Sequence, residues 1–225
     1  MAKKSYFIAG TDTDIGKTYV ATALLRAANN KGLKTIALKP VAAGCEDTAE
    51  GLRNDDAVML QQEASVKLSY EQVNPVALPD ALSPHIAAQR AGRTIGIDRL
   101  AGFCRGSLMT PVDLVLIEGA GGWRVPVNAR EYLSSLPKRL NTPVILVVGM
   151  RLGCLNHAML TAETIHRDGC EIAGWVANCI DSDMVELDAN IDTLKQLLPF
   201  PHIGTVPFTK DLMTAASALD IEKII

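Results

Sequence analysis

A short apolar run at residues 6–9 leads directly into Gly10-Thr11-Asp12-Thr13-Asp14-Ile15-Gly16-Lys17-Thr18, and a helical pattern follows. A glycine-bearing turn between a strand and a helix presents backbone N–H groups that wrap a polyphosphate. Lys17 can reach its terminal charges, and the Thr18 hydroxyl can hold Mg2+. The general pattern of such loops has four residues between its glycines. Here five stand between Gly10 and Gly16, and Thr11 takes the place of the first glycine. A phosphate-binding loop so placed demands a strand on one side and a helix on the other, and so an α/β fold.

The rest of the chain agrees. Short apolar runs at residues 6–9, 35–38, 114–117, 144–148, 172–178 and 203–206 alternate with helical patterns, and several are rich in Val, Ile and Leu without alternation. Such strands are covered on both faces, which predicts a mostly parallel sheet in a three-layer fold of the phosphate-loop type. The helix after the loop is expected over 17–31, ended by Gly32, with Val20, Ala23, Leu24, Ala27 and Ala28 on one stripe. Leu155, Ala158, Met159, Ala162 and Ile165 form a second stripe closed by Gly169, and Leu187, Ile191, Leu194 and Leu198 a third. Ser83-Pro84 predicts a helix start with a capping hydroxyl and a first-turn proline, ended by Gly92. No repeat, low-complexity tract or linker divides the 225 residues, which read as one domain.

In an open parallel sheet, ligands bind beyond the carboxyl ends of the strands, and the unusual residues of this chain fall there. After the second strand comes Lys39-Pro40-Val41-Ala42-Ala43-Gly44. Lys39 suits an anion held near the phosphates, though a lysine there can equally close a strand in solvent. After the third strand comes Glu118-Gly119-Ala120-Gly121-Gly122-Trp123. An acid ending an apolar strand is where phosphate-loop enzymes keep a carboxylate for Mg2+ or its water, and the glycines let backbone approach a ligand. Asn54-Asp55-Asp56 heads a helical pattern, where capping is the simpler role; one carboxylate there would complete an oxygen-ligand set with Thr18 and Glu118. Gly153, Cys154, Leu155 and Asn156 open a helix whose free N–H groups can receive a carboxylate. Asn178, ending the fifth strand, can read a base edge. The four histidines show no metal spacing.

Composition excludes other classes. A net charge of −3 leaves no nucleic-acid footprint, and 4% aromatic content leaves few stacking platforms. The five cysteines are scattered, with no C-x-x-C pair, and read as reduced thiols. The longest apolar stretch, 143–150, is too short to span a bilayer, and no secretory signal precedes the loop. A cytoplasmic protein is expected.

Taken together, several segments resemble one family, the dethiobiotin synthetases. They are residues 10–18; Lys39-Pro40-Val41; Gly51-Leu52-Arg53-Asn54-Asp55-Asp56-Ala57; Ser83-Pro84-His85; residues 118–123; Leu152-Gly153-Cys154-Leu155-Asn156-His157-Ala158; and Gly174-Trp175-Val176-Ala177-Asn178. The five-residue gap in the loop is the family's own. The resemblance implies an ATP- and Mg2+-dependent ligase that converts 7,8-diaminopelargonic acid and CO2, supplied as bicarbonate, into dethiobiotin, ADP and phosphate. By position, Asp14, Ile15, Gly16, Lys17, Thr18 and Tyr19 would hold the ATP phosphates, with the backbone of Gly119, Ala120 and Gly121 close by. Thr18, Asp56 and Glu118 would bind Mg2+. Lys39 would be the catalytic lysine alongside Lys17, and Thr13 and Ala43 would face the substrate. Asn178 would recognise adenine, with Val206, Pro207 and Phe208 nearby. The family's substrate lies at a homodimer interface, its carboxylate received by the partner's helix start at Gly153, Cys154, Leu155 and Asn156.

Ala43 departs from the family where serine is common, Asp14 stands where glutamate is frequent, and residues 128–141 and the tail after Phe208 match poorly. A rival class, resembling the partitioning and cell-division-site ATPases, usually carries an additional lysine early in the loop. Thr11, Asp12, Thr13 and Asp14 offer none. A cobyrinate-type amidase would also need a glutaminase domain, for which the chain has no room.

Overall fold

Strands without alternation need a cover on each face, and the arrangement of elements supplies it. The computed structural model describes residues 3–225. β1 (Lys4–Gly10) is followed by α1 (Lys17–Asn30), then β2 (Thr35–Leu38), a short β3 (Val41–Ala43), and a hairpin of β4 (Glu46–Thr48) and β5 (Gly51–Arg53). Next come α2 (Asp55–Glu63), the single turn α3 (Tyr70–Val73), β6 (Val76–Leu78), α4 (Pro84–Arg90) and α5 (Ile97–Leu108). The second half alternates regularly through β7 (Leu114–Glu118), α6 (Ser135–Leu140), β8 (Val144–Met150), α7 (Cys154–Arg167), β9 (Ile172–Cys179), α8 (Leu187–Leu197), β10 (His202–Val206) and α9 (Leu212–Ser217).

Six strands form the central sheet in the order β10-β9-β8-β1-β7-β2, every neighbour parallel. From β1 the chain winds to one side through β2 and β7, then crosses over to build β8, β9 and β10 on the other. β1 is thus the strand where the winding reverses, which is where a doubly wound sheet opens a crevice at its carboxyl edge.

Successive residues of a strand point to opposite faces. Tyr6 and Ile8 pack with α1, Leu60 of α2, and Ala215 and Ala216 of α9. Phe7 and Ala9 pack with α5, α7 and α8 through Leu100, Ala158, Ile165 and Leu194. β7 and β8 divide their side chains in the same way, and all five β7 residues are buried. The Tyr6 hydroxyl also donates to the Ile224 carbonyl at 2.5 Å, tying the last residues to the first strand. All five cysteines are buried and unpaired. No helix among the described residues is long and apolar enough to cross a membrane.

All six expected strands form, and each is as long as anticipated or one to three residues longer. The helices over 17–30 and 187–197 begin where the apolar stripes place them, and Gly169, at φ +78°, follows the end of α7. Ser83 does precede α4 with Pro84 in its first turn, but its hydroxyl does not cap the helix. It pairs instead with His85 Nδ1 at 3.0 Å, a partner two residues away that competes with the backbone N–H. Strands β3 to β6 were not expected. Each has three residues, too few for a periodic signal, and β4 is exposed throughout.

Gly204 shows how closely backbones meet at the β10 edge. It bridges to Leu219, and a methyl group added to it would overlap the Ala218 carbonyl oxygen, a backbone atom that cannot swing aside. Gly204→Ala should lower the unfolding free energy by about 1–3 kcal/mol in urea titrations. Gly102→Ala, on α5 with nothing within 4 Å of the added carbon, should raise it by about 0.5–1 kcal/mol. Equal midpoints for the two variants would contradict the tight contact at Gly204.

Candidate active site

The loop between β1 and α1 is held from three directions. Thr11 N–H donates to Val147 O at 3.1 Å, and its hydroxyl receives Gly149 N–H at 3.4 Å, so the residue in the first glycine's place anchors the loop to β8. Asp12 accepts Arg151 at 2.6 Å and its neighbour Thr13 N–H at 2.8 Å. Asn178 Nδ2 donates to Ile15 O at 2.8 Å. Its amide lies so close over Gly16, at φ +78°, that no β-carbon could fit there. Asp14 is also left-handed, at φ +55°, a conformation that short polar side chains tolerate better than most. The turn feeds α1, whose first residue, Lys17, is buried and donates to Asp12 O at 2.8 Å.

Beyond β2, Lys39 is only 5% exposed. The solvated-lysine alternative is therefore excluded: its ammonium donates to Asp56 Oδ2 at 2.8 Å and to Glu118 Oε1. Glu118 Oε1 also accepts the Thr18 hydroxyl at 2.8 Å, while Glu118 Oε2 is buried with no partner. Asn54 caps α2 by accepting Ala57 N–H at 3.3 Å, which leaves Asp56 in the first turn to face Lys39. The cluster thus divides: Asn54 caps the helix, and Asp56 lines the cleft beside Lys39.

These charges set one another. Burial alone would lower the Lys39 ammonium, but the Glu118 and Asp56 carboxylates outweigh it and raise its pKa above the ordinary lysine value. Burial would likewise raise Asp56, yet Lys39 and the Thr18 hydroxyl hold it below the usual carboxylate range. Lys17 lacks such close partners. Burial brings it down to about 8 against the opposing pull of Glu118, with Lys39 adding repulsion.

Thr13, Asp14, Gly16, Lys17, Thr18, Tyr19, Lys39, Ala43, Asp56, Glu118, Ala120 and Gly121 line one cleft of about 890 Å³. Val41, Ala42, Met59, Leu82, Pro84 and Val125 complete its apolar wall. Sequence reasoning gave none of the six a role in the site, although Val41, Ala42 and Pro84 lie within motifs it marked, because apolar side chains carry no chemical signature. Ile15 and Gly119 lie beneath it: Ile15 is in the core, and Gly119 donates to Ile8 O at 3.0 Å against the Phe7 ring. Asn178 is buried against the loop, with one of its two amide hydrogens used on Ile15 O. Val206 is buried at the end of β10, whereas Phe208 is 64% exposed. Gly153, Cys154, Leu155 and Asn156 do not line this cleft. They open α7 with Gly153 at φ +94° and no side-chain cap; Cys154 N–H donates to Arg151 O at 2.9 Å, which leaves the N–H groups of Leu155 and Asn156 without a backbone partner.

The donor set suits a hard divalent cation. Among the described residues no three His, Cys, Asp or Glu side chains group as a metal site. A threonine hydroxyl and two carboxylates, one with an orphaned oxygen, match an ion that keeps several waters and takes few protein ligands.

A family model described as an AAA domain matches residues 4–216. By three-dimensional comparison the chain is similar to the MinC:MinD cell division protein complex of Aquifex aeolicus, with a TM-score of 0.62 and 15% identity over 98% of this chain and 93% of that one. That likeness is one of fold. In sequence it is 51% identical over 218 residues to an ATP-dependent dethiobiotin synthetase of Pseudomonas aeruginosa strain UCBPP-PA14, covering 97% of this chain and 96% of that protein. It is 58% identical over 207 residues to the ATP-dependent dethiobiotin synthetase of Cellvibrio japonicus, covering 92% of this chain and 90% of that protein. More than half of the residues shared over nine-tenths of both lengths goes far beyond a common scaffold, and the chain belongs to the ATP-dependent dethiobiotin synthetases.

Proposed function

We propose that this enzyme uses Mg-ATP to carboxylate 7,8-diaminopelargonic acid with CO2 and close the ureido ring, releasing dethiobiotin, ADP and phosphate. One observation carries the reading: a buried lysine faces two carboxylates within reach of a phosphate loop. One amine of the substrate captures CO2 as a carbamate, which is a poor electrophile. Transfer of the γ-phosphoryl group to a carbamate oxygen gives a carbamic-phosphoric anhydride. Attack by the second amine then closes the ring and expels phosphate. The carbamate oxygen is itself the nucleophile in the transfer, so no strong protein base is required.

The residues take their roles from position. Lys17 and the loop N–H groups bind the β- and γ-phosphates. Two of Lys39's three N–H donors are used on Asp56 and Glu118, and the third is left for the carbamate or the transferring phosphoryl oxygens. Thr18, Asp56 and Glu118 would hold Mg2+, which when bound supplies positive charge against the phosphates. Thr13 and Ala43 border the substrate. Alanine at 43 offers it no hydroxyl. Asn178, Val206, Pro207 and Phe208 flank the nucleotide base. A homodimer accounts for Gly153, Cys154, Leu155 and Asn156: outside this chain's own cleft, their open helix start would receive the substrate carboxylate in the partner's. Incubation of the protein with Mg-ATP, bicarbonate and 7,8-diaminopelargonic acid, read by mass spectrometry, should yield dethiobiotin only when every component is present. ATP consumed without dethiobiotin would assign another substrate.

Lys39→Ala should lower kcat roughly 10²- to 10³-fold, the range for removing one preorganised charge from a reacting centre, while ADP affinity by calorimetry stays within about threefold. Full turnover in this variant would remove Lys39 from the mechanism. Thr18→Val should weaken Mg-ADP binding by about tenfold but leave metal-free ADP binding nearly unchanged. Equal losses in the two titrations would argue against Thr18 as a metal ligand. Because burial holds Lys17 near 8 and bound phosphates favour its charged form, metal-free ADP binding should take up protons near pH 8. Its affinity should then fall as the pH rises beyond that value. Lys17→Arg, charged throughout, should flatten this dependence.

A further inference from the structure

Lys39 stands where the sheet can no longer hold it. The ladder of β2 ends at Leu38, and the following residue, Pro40, has no N–H to give. The two backbone groups of Lys39 find their partners in α3 and the residue after it. Lys39 N–H donates to Val73 O at 2.8 Å, and Asn74 Nδ2 donates to Lys39 O at 2.6 Å. Asn74 is 3% exposed and has no freedom to turn. Its Nδ2 faces two carbonyls, those of Lys39 and of Val76 at 3.4 Å, while its Oδ1 accepts the Tyr70 hydroxyl at 3.1 Å. That hydroxyl in turn accepts Asn54 N–H at 2.8 Å. With its hydrogen committed to Asn74 and a lone pair to Asn54, every direction in the chain is set.

The far end of this chain is the cap of the helix that carries Asp56. Asn54 starts α2, and its own Nδ2 reaches Ala43 O at 3.4 Å on the cleft wall. One buried phenol thus joins the backbone under Lys39 to the helix start under Asp56, the two sides of a 2.8 Å ion pair. The Arg53 guanidinium lies 4.1 Å above the Tyr70 ring and closes it from the other face.

We infer that Tyr70 and Asn74 are positioning residues that set the Lys39 ammonium against Asp56. This rests on the reading of Lys39 as the catalytic lysine. A four-carbon side chain magnifies small backbone shifts, and a misplacement near 1 Å at a reacting centre costs roughly 10²-fold in rate. Tyr70→Phe removes one oxygen atom, keeps the ring's packing and leaves the phosphate loop untouched.

The test compares wild type, Tyr70→Phe, Lys39→Gln and the double variant in dethiobiotin formation, with ADP affinity by calorimetry and folding checked by circular dichroism at the assay temperature. Tyr70→Phe should lower kcat roughly 10- to 100-fold with less than a twofold change in ADP affinity. In the Lys39→Gln background the same change should lower the residual rate less than twofold, because the group it positions is gone. Asn74→Ala should repeat the pattern, and it carries the test should Tyr70→Phe unfold. Wild-type kcat in a folded Tyr70→Phe protein would overturn the proposal. So would an equal proportional loss in both backgrounds, which marks a merely structural role. Full turnover by Lys39→Gln alone would overturn the reading of Lys39 and the proposal with it, an outcome distinct from a failure confined to Tyr70.

Discussion

An ammonium ion buried between two carboxylates is the constraint around which this molecule is arranged. Glu118 is 1% exposed and Lys39 5%, and neither charge could be held there alone. Removing one partner from such a buried pair costs about 3–5 kcal/mol, because the charge left behind has lost both water and its counter-ion. The pair is sustained by geometry from three separate elements: the end of β2, the end of β7 and the start of α2. β2 and β7 are neighbours in register, Leu38 beside Ile117, so the residues after each are delivered side by side. The apolar clusters on both faces of the sheet keep that register from slipping.

The phosphate loop obeys a related logic, with backbone in place of charge. Its N–H groups must point inward to serve an anion, and that forces residues 14 and 16 into left-handed conformations. Gly16 meets the demand by having no side chain, and the vacated space is filled by the Asn178 amide, which clasps the loop through Ile15. β9, two places from β1 in the sheet, therefore shapes the loop that leaves β1. The Asp12–Arg151 pair links the same loop to the turn before α7, so the phosphate cradle and the uncapped helix start share a strut.

Much of this was legible in the sequence, and the reason is physical. Apolar runs covered on both faces, stripes of 3.6-residue period and a glycine-lysine-threonine turn are local signals, and each element they marked is present. So are the strand-end positions of Lys39 and Glu118, because a parallel sheet sends every strand end to one edge. What was not legible depends on distance. That Lys39 is buried follows from Asp56 folding over it, and that Asn178 grips Ile15 follows from contacts 163 residues apart. The α3 turn sits between these cases. Its Ser69–Gln72 capping box was readable by spacing, since Ser69 Oγ accepts Gln72 N–H and Gln72 Oε1 accepts Ser69 N–H. Nothing local said that Val73 at its end and Asn74 just after it would hold the backbone of Lys39, or that Tyr70 would join Asn74 to Asn54.

The likeness in fold to a cell-division ATPase sharpens where function resides. A parallel sheet with a phosphate loop at the strand of reversal does one thing by itself: it brings a polyphosphate to the carboxyl edge. What happens next is decided by the residues at the other strand ends. A site that must activate a carbamate needs positive charge at the γ-phosphate that is not consumed in gripping the nucleotide. In the proposed reaction that charge is assigned to Lys39, at the end of a strand two places from the loop, with α3 beneath it as support. The loop itself has no lysine before Lys17, and Lys39 is a second lysine lining the same chain's cleft. A second lysine at another strand end leaves the cleft wall at Ala43, Leu82 and Val125 apolar, a surface that fits the aliphatic body of the proposed substrate.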